Sequence, residues 1–180
     1  MAGSGGGSLD SGVGARVLGS ILTWMSEKTS PVFVYATAND VTSLPPELLR
    51  KGRFDEMWSV MMPNKVERKE IFDIHIRKRG RGNLIDSRVL DLDQLIIDTA
   101  GFSGAEIEAL IVESLYSAFD VGKDLNMLDL KDSIKNTNPV SRQMVEKLKK
   151  LEEWCQNRTR PANEQEDDWS EVGHSRRLDN

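Results

Sequence analysis

Val32-Phe-Val-Tyr-Ala-Thr-Ala-Asn39-Asp40, then Leu44-Pro-Pro-Glu-Leu-Leu-Arg50-Lys-Gly-Arg53-Phe-Asp55, is the stretch on which the reading of this chain turns. Val32 to Ala36 are apolar, mostly β-branched or aromatic, with Pro31 before them and the polar pair Asn39-Asp40 soon after. A short apolar run with such borders reads as a buried strand of a parallel sheet. Pro45, Pro46 and Gly52, with Leu48 and Leu49 between them, read as a loop carrying one helical turn. Met57 to Met62 reads as a second short strand. Two apolar strands cannot bury both faces of a sheet alone, so this front part calls for neighbouring strands.

Upstream, residues 1–14 hold six Gly and three Ser and read as a flexible lead. Asp10 or Ser11 is placed to cap a helix running to about Lys28, with Val13, Val17, Leu18, Ile21, Leu22 and Met25 at helical spacing. Downstream of Pro63 the pattern becomes helical. Asn64 with Glu67 forms a capping-box pattern. That helix is expected to bury Ile71, Phe72 and Ile74 or His75, and to stop at Gly80. Asp91 with Gln94 opens another, burying Leu92, Leu95, Ile96 and Thr99, and Gly101 ends it. Ser103 with Glu106 is a further capping box, followed by Ile107, Leu110, Ile111, Leu115 and Phe119 on one face, with Gly122 as the stop. A short helix near Asp129–Lys135 and a longer one from Pro139, striped by Val140, Met144, Leu148, Leu151 and Trp154, complete the set.

Composition removes several function classes. The chain has 180 residues, net charge -5, one cysteine (Cys155) and two histidines. A lone cysteine excludes an internal disulfide and a multi-cysteine zinc site, and no metal site is expected. No apolar stretch reaches the roughly 18 residues of a membrane span, and the start has no signal-peptide pattern. The expectation is a cytoplasmic protein of a reducing compartment, with no membrane partner. Residues 161–180 carry six acids and two bases, four of the five excess negative charges, and read as a disordered acidic tail. The run Arg77-Lys-Arg-Gly-Arg81 lies at a helix C-terminus, where cations favour the helix dipole. It reads as a solvated helix end, so nucleic acid is not the expected partner.

The segments Val32 to Asn39 and Leu44 to Asp55 together resemble the second half of an AAA+ ATPase module. In that family a strand ends in a polar sensor residue, and Leu-Leu-Arg-x-Gly-Arg-Phe-Asp follows about a dozen residues later. Ile71-Phe-Asp-Ile-His75 resembles the start of the family's helical lid, and Gly101-Phe-Ser-Gly-Ala-Glu106 resembles the lid's Gly-x-Ser-Gly-Ala motif. The motifs stand in order across about residues 10–120. Leu22-Thr-Trp-Met and Lys51-Gly-Arg-Phe-Asp further resemble an uncharacterised AAA type of cyanobacteria and chloroplasts. The fold this implies is α/β: an incomplete P-loop NTPase α/β subdomain followed by an all-α helical lid bundle. Its expected boundaries are a Gly-rich lead over 1–13, the α/β part over 14–62, the lid over 63–158 and the tail over 159–180.

The resemblance implies roles residue by residue. Asn39 would be the sensor that orients a water or touches the γ-phosphate. Arg50 and Arg53 would be arginine fingers reaching a neighbouring subunit's nucleotide, where a planar, permanently charged guanidinium suits phosphate oxygens. His75 would lie against adenine or ribose, with Gly104 and Ala105 letting the helix start approach the nucleotide. ATP and Mg²⁺ are the implied cofactors, and a hexamer-like homo-oligomeric ring acting on a protein substrate is the implied assembly. Each residue also has a structural alternative: Asn39-Asp40 as a turn, Arg50 and Arg53 as a solvated pair, His75 as a core histidine. Ser103 and Glu106 are accounted for by capping alone.

The phosphate loop Gly-x-x-x-x-Gly-Lys-Ser/Thr does not occur in the sequence. Gly122-Lys123 is followed by Asp124, and Leu95-Ile-Ile-Asp98 has helical spacing with Thr99 where a second acid would stand. The expectation is therefore a truncated module, with Met1 an internal methionine, unable to hydrolyse ATP alone. The alternative is a non-catalytic lid or interaction module that binds a partner or a complete AAA+ ATPase.

Overall fold

The structure is a computed structural model that describes residues 8–50 and 52–162. It divides into two compact units, Met1–Met57 and Trp58–Asn180.

In the first unit, α1 spans Ser8–Glu27. It starts before Asp10 and Ser11, which lie inside the helix and do not cap it. Leu18, Leu22 and Met25 are half-buried, whereas Val17, Ile21 and Trp24 remain exposed. Val32 to Ala36, read as a buried strand, is assigned to no strand. A strand is defined by its ladder, and no described segment pairs with this one. All of it but the half-buried Val34 is accordingly exposed, with Phe33 91% and Tyr35 81% exposed. This is the unpartnered apolar surface that the shortage of strands in the sequence implies. Val41–Ser43 forms a 3₁₀ turn capped by Asp40, which accepts from the N–H of Thr42, its second residue, at 3.0 Å. Leu48 is buried.

The second unit is helical. Its described elements are β1 (Trp58–Ser59), α2 (Lys65–Lys78), α3 (Gly82–Asp86), α4 (Leu92–Asp98), α5 (Gly104–Asp120), α6 (Met127–Asn136), α7 (Val140–Gln143), α8 (Val145–Cys155) and β2 (Arg160–Pro161). Caps set the helix starts. Asn64 accepts from the Glu67 N–H at 2.9 Å while Glu67 returns the bond to the Asn64 N–H, also at 2.9 Å. Asp91 caps α4, and Ser103 and Glu106 close a capping box on α5. Glu106 also accepts from the Val140 N–H at 2.7 Å, which ties the start of α7 to the start of α5.

The core lies between α2, α4, α5 and α6. Phe72, Ile76, Leu95, Phe102, Ile107, Leu110, Ile111 and Leu130 are all at most 2% exposed. On α2 the buried positions are Arg68, Phe72 and Ile76; Ile74 is exposed, because the helix turns that position away from α4 and α5. Arg68 is fully buried and donates to the Pro63 and Ile96 carbonyls at 2.9 and 3.0 Å, joining the entry to α2 with α4. Phe119 is 82% exposed, and Ala118 fills the core position beside it. The helix read as continuous from Pro139 breaks at Met144, which has φ -125 and ψ 32 and caps both α7 and α8. α8 has no buried residue. β1 pairs with β2 in parallel, Trp58 opposite Arg160, and the Ala162 N–H reaches the Ser59 carbonyl at 2.8 Å. Those residues open the stretch read as a tail; residues 163–180 lie outside the described residues, as do residues 1–7 of the lead read over 1–13, whose residues 8–13 belong to α1.

Candidate functional site

The residues singled out from sequence fall into two groups. Asn39, Arg50 and Arg53 are in the first unit, and His75, Gly104 and Ala105 are in the second. Asn39 is exposed and directly precedes the Asp40 cap. Arg50 is exposed. Arg53 is partly buried, and its Nη1 donates to the Leu22 carbonyl of α1 at 2.7 Å. Gly52, between the arginines, has φ +92, a backbone conformation that disfavours side chains. The loop therefore presents one guanidinium to solvent and anchors the other.

In the second unit two helices meet along a seam. Residues four apart lie on the same face of a helix. On α2 this pair is Ile71 and His75; on α5 it is Gly104 and Glu108. A Cβ at Gly104 would sit 3.6 Å from Ile71 Cδ1. One turn along, His75 Nδ1 lies 3.3 Å from Glu108 Oε1. The seam thus brings together His75 and Gly104, with Ala105 exposed next to Gly104. It also recruits two residues that the sequence did not single out. Arg79, at the end of α2, donates to Glu108 at 3.1 Å and to the His75 carbonyl at 3.2 Å. The four-residue spacing from Gly104 to Glu108 and from His75 to Arg79 was the available signal.

The bases at the end of α2 are matched to acids. Arg77 pairs with Asp73 at 2.9 Å and Asp86 at 2.7 Å, and Arg81 pairs with Asp124 at 2.9 Å. The Arg77 guanidinium is held above its ordinary range by the Asp86 and Asp73 hydrogen bonds. Three carboxyls are held below theirs: Glu108 chiefly by the Arg79 hydrogen bond, Asp86 by that of Arg77, and Asp124 by those of Arg81 and the Leu125 N–H. A carboxyl with a lowered folded pKa binds fewer protons when folded. Its stabilisation is present above the unfolded pKa and is lost as pH falls through the folded one. The melting temperature of the helical unit should stay level on acidification to about pH 5 and decline below about pH 4. The decline should be shallow, because these pairs are solvent-screened, and shallower still in high salt. Thermal denaturation across that pH range at two ionic strengths checks both points.

Among the described residues, no group of three or more His, Cys, Asp and Glu is placed to hold a metal ion. No described helix is long and apolar enough to cross a membrane. Leu95 to Asp98 is helical, in α4, as its cap and spacing required.

Comparison with known proteins covers both units. Residues 1–61 match the model of the ATPase family associated with various cellular activities, AAA, and residues 90–133 match that of the AAA+ lid domain. The uncharacterised AAA domain-containing protein ycf46 of Pyropia yezoensis is 44% identical over 147 residues, 81% of this chain and 29% of that protein. Its counterpart in Guillardia theta is 42% identical over 146 residues, 81% of this chain and 28% of that protein. The proteasome-activating nucleotidase of Saccharolobus solfataricus is 37% identical over 123 residues, 68% of this chain and 30% of that protein. The chain thus spans under a third of the length of these relatives.

Proposed function

Because this chain belongs to the AAA family and joins the C-terminal part of an AAA module to its lid, we propose that it contributes the sensor, arginine fingers and lid of an ATP-hydrolysing ring. The observation that carries this reading is the ordered succession of Asn39 and the Arg50–Arg53 loop within the matched AAA segment and Gly104 within the matched lid segment, with His75 standing between the two. The phosphate loop and the acids that hold Mg²⁺ would come from residues outside these 180.

The donor set fits the outer parts of a nucleotide site. Phosphoryl transfer depends on positioning and charge neutralisation more than on covalent chemistry. Asn39 is a neutral amide able to orient a water at any physiological pH. Arg50 is an exposed cation free to reach a phosphate on a neighbouring subunit. The seam offers an imidazole and a helix start. ATP would supply the phosphoryl group, and this chain's residues would orient, neutralise and cover it.

Mixing experiments test the reading. The chain alone should show no magnesium-dependent ATP turnover. Titrated into a full-length ycf46-type relative, it should stimulate or depress turnover as mixed rings form. Turnover by the isolated chain, or no response of the relative at any ratio, would overturn the proposal.

Gly104→Ala separates binding from folding. The added methyl meets Ile71 at an ordinary contact distance, and no positive φ opposes it. Alanine also suits a helix better than glycine. The melting temperature should hold or rise, while nucleotide affinity of the assembled ring falls because the helix start can no longer approach as closely. Paired melting and nucleotide-titration measurements check this. A variant that melts early would instead mark Gly104 as a packing residue.

A further inference from the structure

We propose that residues 160–162 are the closing strand of a parallel sheet: they strap the chain that follows α8 onto one edge of β1 and end the sheet there through Pro161, so that further strands add at the opposite edge of β1. The strap is argued from backbone geometry and does not depend on the nucleotide reading above; the further strands rest on the chain's place in an AAA module.

Alternation along a strand fixes which edge each residue serves. The N–H and C=O of one residue point to the same neighbouring strand, and those of the next residue point the other way. The Ala162 N–H donates to the Ser59 carbonyl at 2.8 Å, and in the parallel register Trp58 stands opposite Arg160 and Ser59 opposite Pro161. The backbone of Arg160 and Ala162 therefore faces β1, and that of Pro161 between them faces outward. Proline has no N–H, so the outer side of β2 lacks a donor that a next strand would need. Sheets tolerate proline where its missing donor lies on an edge. On β1, Ser59 turns its N–H and C=O toward β2, while Trp58 and Val60 turn theirs to the other edge. Among the described residues no strand lies there, because β1 and β2 form a two-stranded sheet.

The residues before β2 are shaped to deliver it. α8 ends at Cys155, whose carbonyl accepts from the Arg158 N–H, the Thr159 N–H and the Thr159 hydroxyl, each at 3.0 Å. Arg158 folds back over the helix, donating to the Trp154 carbonyl at 3.1 Å, with its guanidinium 5.4 Å from the centre of the Trp154 ring. Arg160 precedes a proline, which biases it to extended backbone. α8 buries none of its residues fully, so its packing is a weak anchor and the pairing with β1 fastens its far end. An open strand edge invites pairing with other chains, and proline on that edge is one means of preventing it. The strap thus closes one edge of β1 against foreign strands and leaves the other for the sheet that the sequence calls for.

Amide hydrogen exchange in the full chain, resolved residue by residue with NMR, tests the strap. The Ser59 N–H should be protected, and the Val60 N–H should exchange as fast as an open loop. Ala162→Pro removes the donor to Ser59 and should speed Ser59 exchange by about tenfold, while the core amides of Leu110 and Ile111 keep their protection. Ser59 exchange indifferent to Ala162→Pro in a chain with an intact core, or a protected Val60 in the monomer, would overturn the inference. Pro161→Val restores an outward donor on a strand-forming residue. It should leave Ser59 protected and raise self-association in sedimentation above that of the unsubstituted chain. Identical sedimentation at every concentration would overturn the closing role of Pro161. In a complete module that includes these residues, Val60 should gain protection while Ser59 still depends on Ala162. Loss of that dependence would mean that another strand displaces β2, and would overturn the strap. A Val60 amide still open there would overturn the assignment of the opposite edge and leave the strap standing. None of these outcomes turns on the mixing experiment, so the strap and the proposed function fail separately.

Discussion

Arg50→Ala, placed in every subunit of a ring of complete modules that include this chain's residues, is expected to lower steady-state phosphate release by about 10³-fold or more. The melting temperature of the chain should not change. Arg50 is exposed, so its removal leaves no buried group without a partner. The rate effect follows from what a finger does: it places a fixed positive charge where the transferring phosphoryl group spreads its negative charge. Arg50→Lys should rescue little, because an ammonium cannot offer the planar fork that grips two phosphate oxygens. Arg53 behaves differently. Its Nη1 is engaged with the Leu22 carbonyl at 2.7 Å. A hydrogen bond from a charged group is worth at most about 1.5–3 kcal/mol, and this one is only partly buried. Arg53→Ala should therefore combine a rate loss with a measurable loss of stability in the first unit. Comparing the two variants by turnover and by melting distinguishes the exposed arginine from the anchored one. Near-normal turnover in Arg50→Ala rings would remove the finger reading.

The contrast between these arginines shows where sequence reasoning reaches and where it stops. Capping is local, and the caps at Asn64, Asp91 and Ser103 were legible because both partners lie within one turn. α3 escaped notice because it has five residues and its N-cap, Arg81, makes no side-chain cap bond. Val32 to Ala36 has strand chemistry, yet a strand depends on a neighbour that no local pattern supplies. The β1–β2 pairing joins residues about a hundred positions apart and leaves no periodic trace. The site divides in the same way. His75 and Gly104 stand in motifs, and a motif can be read. Glu108 and Arg79 join them only because α2 and α5 pack with one register along their seam, a tertiary fact. Arg53 likewise looks identical to Arg50 until the Leu22 carbonyl in the C-terminal part of α1 is known.

Two phenylalanines carry the largest expected stability contrast. Phe72→Ala should cost about 3–5 kcal/mol, the range for truncating a buried aromatic residue and leaving a cavity. Phe72 is 0% exposed within the cluster formed by α2, α4 and α5. Native stability totals only about 5–15 kcal/mol, so the variant should be largely unfolded under mild denaturant. Phe119→Ala should change stability by no more than about 0.5 kcal/mol. The sequence placed both residues in the core, and helix geometry explains the difference. At 3.6 residues per turn, three turns advance about eleven residues, so the face that carries Ile107 returns at Ala118. Phe119 is rotated about 100° further and leaves the core, 82% exposed. The stripe Ile107, Leu110, Ile111 and Leu115 was real, but extending it in steps of four carried it off the buried face. Denaturant unfolding of the two variants under one set of conditions checks this. Equal losses would mean that Phe119 packs in solution and that the end of α5 is more buried than its geometry shows.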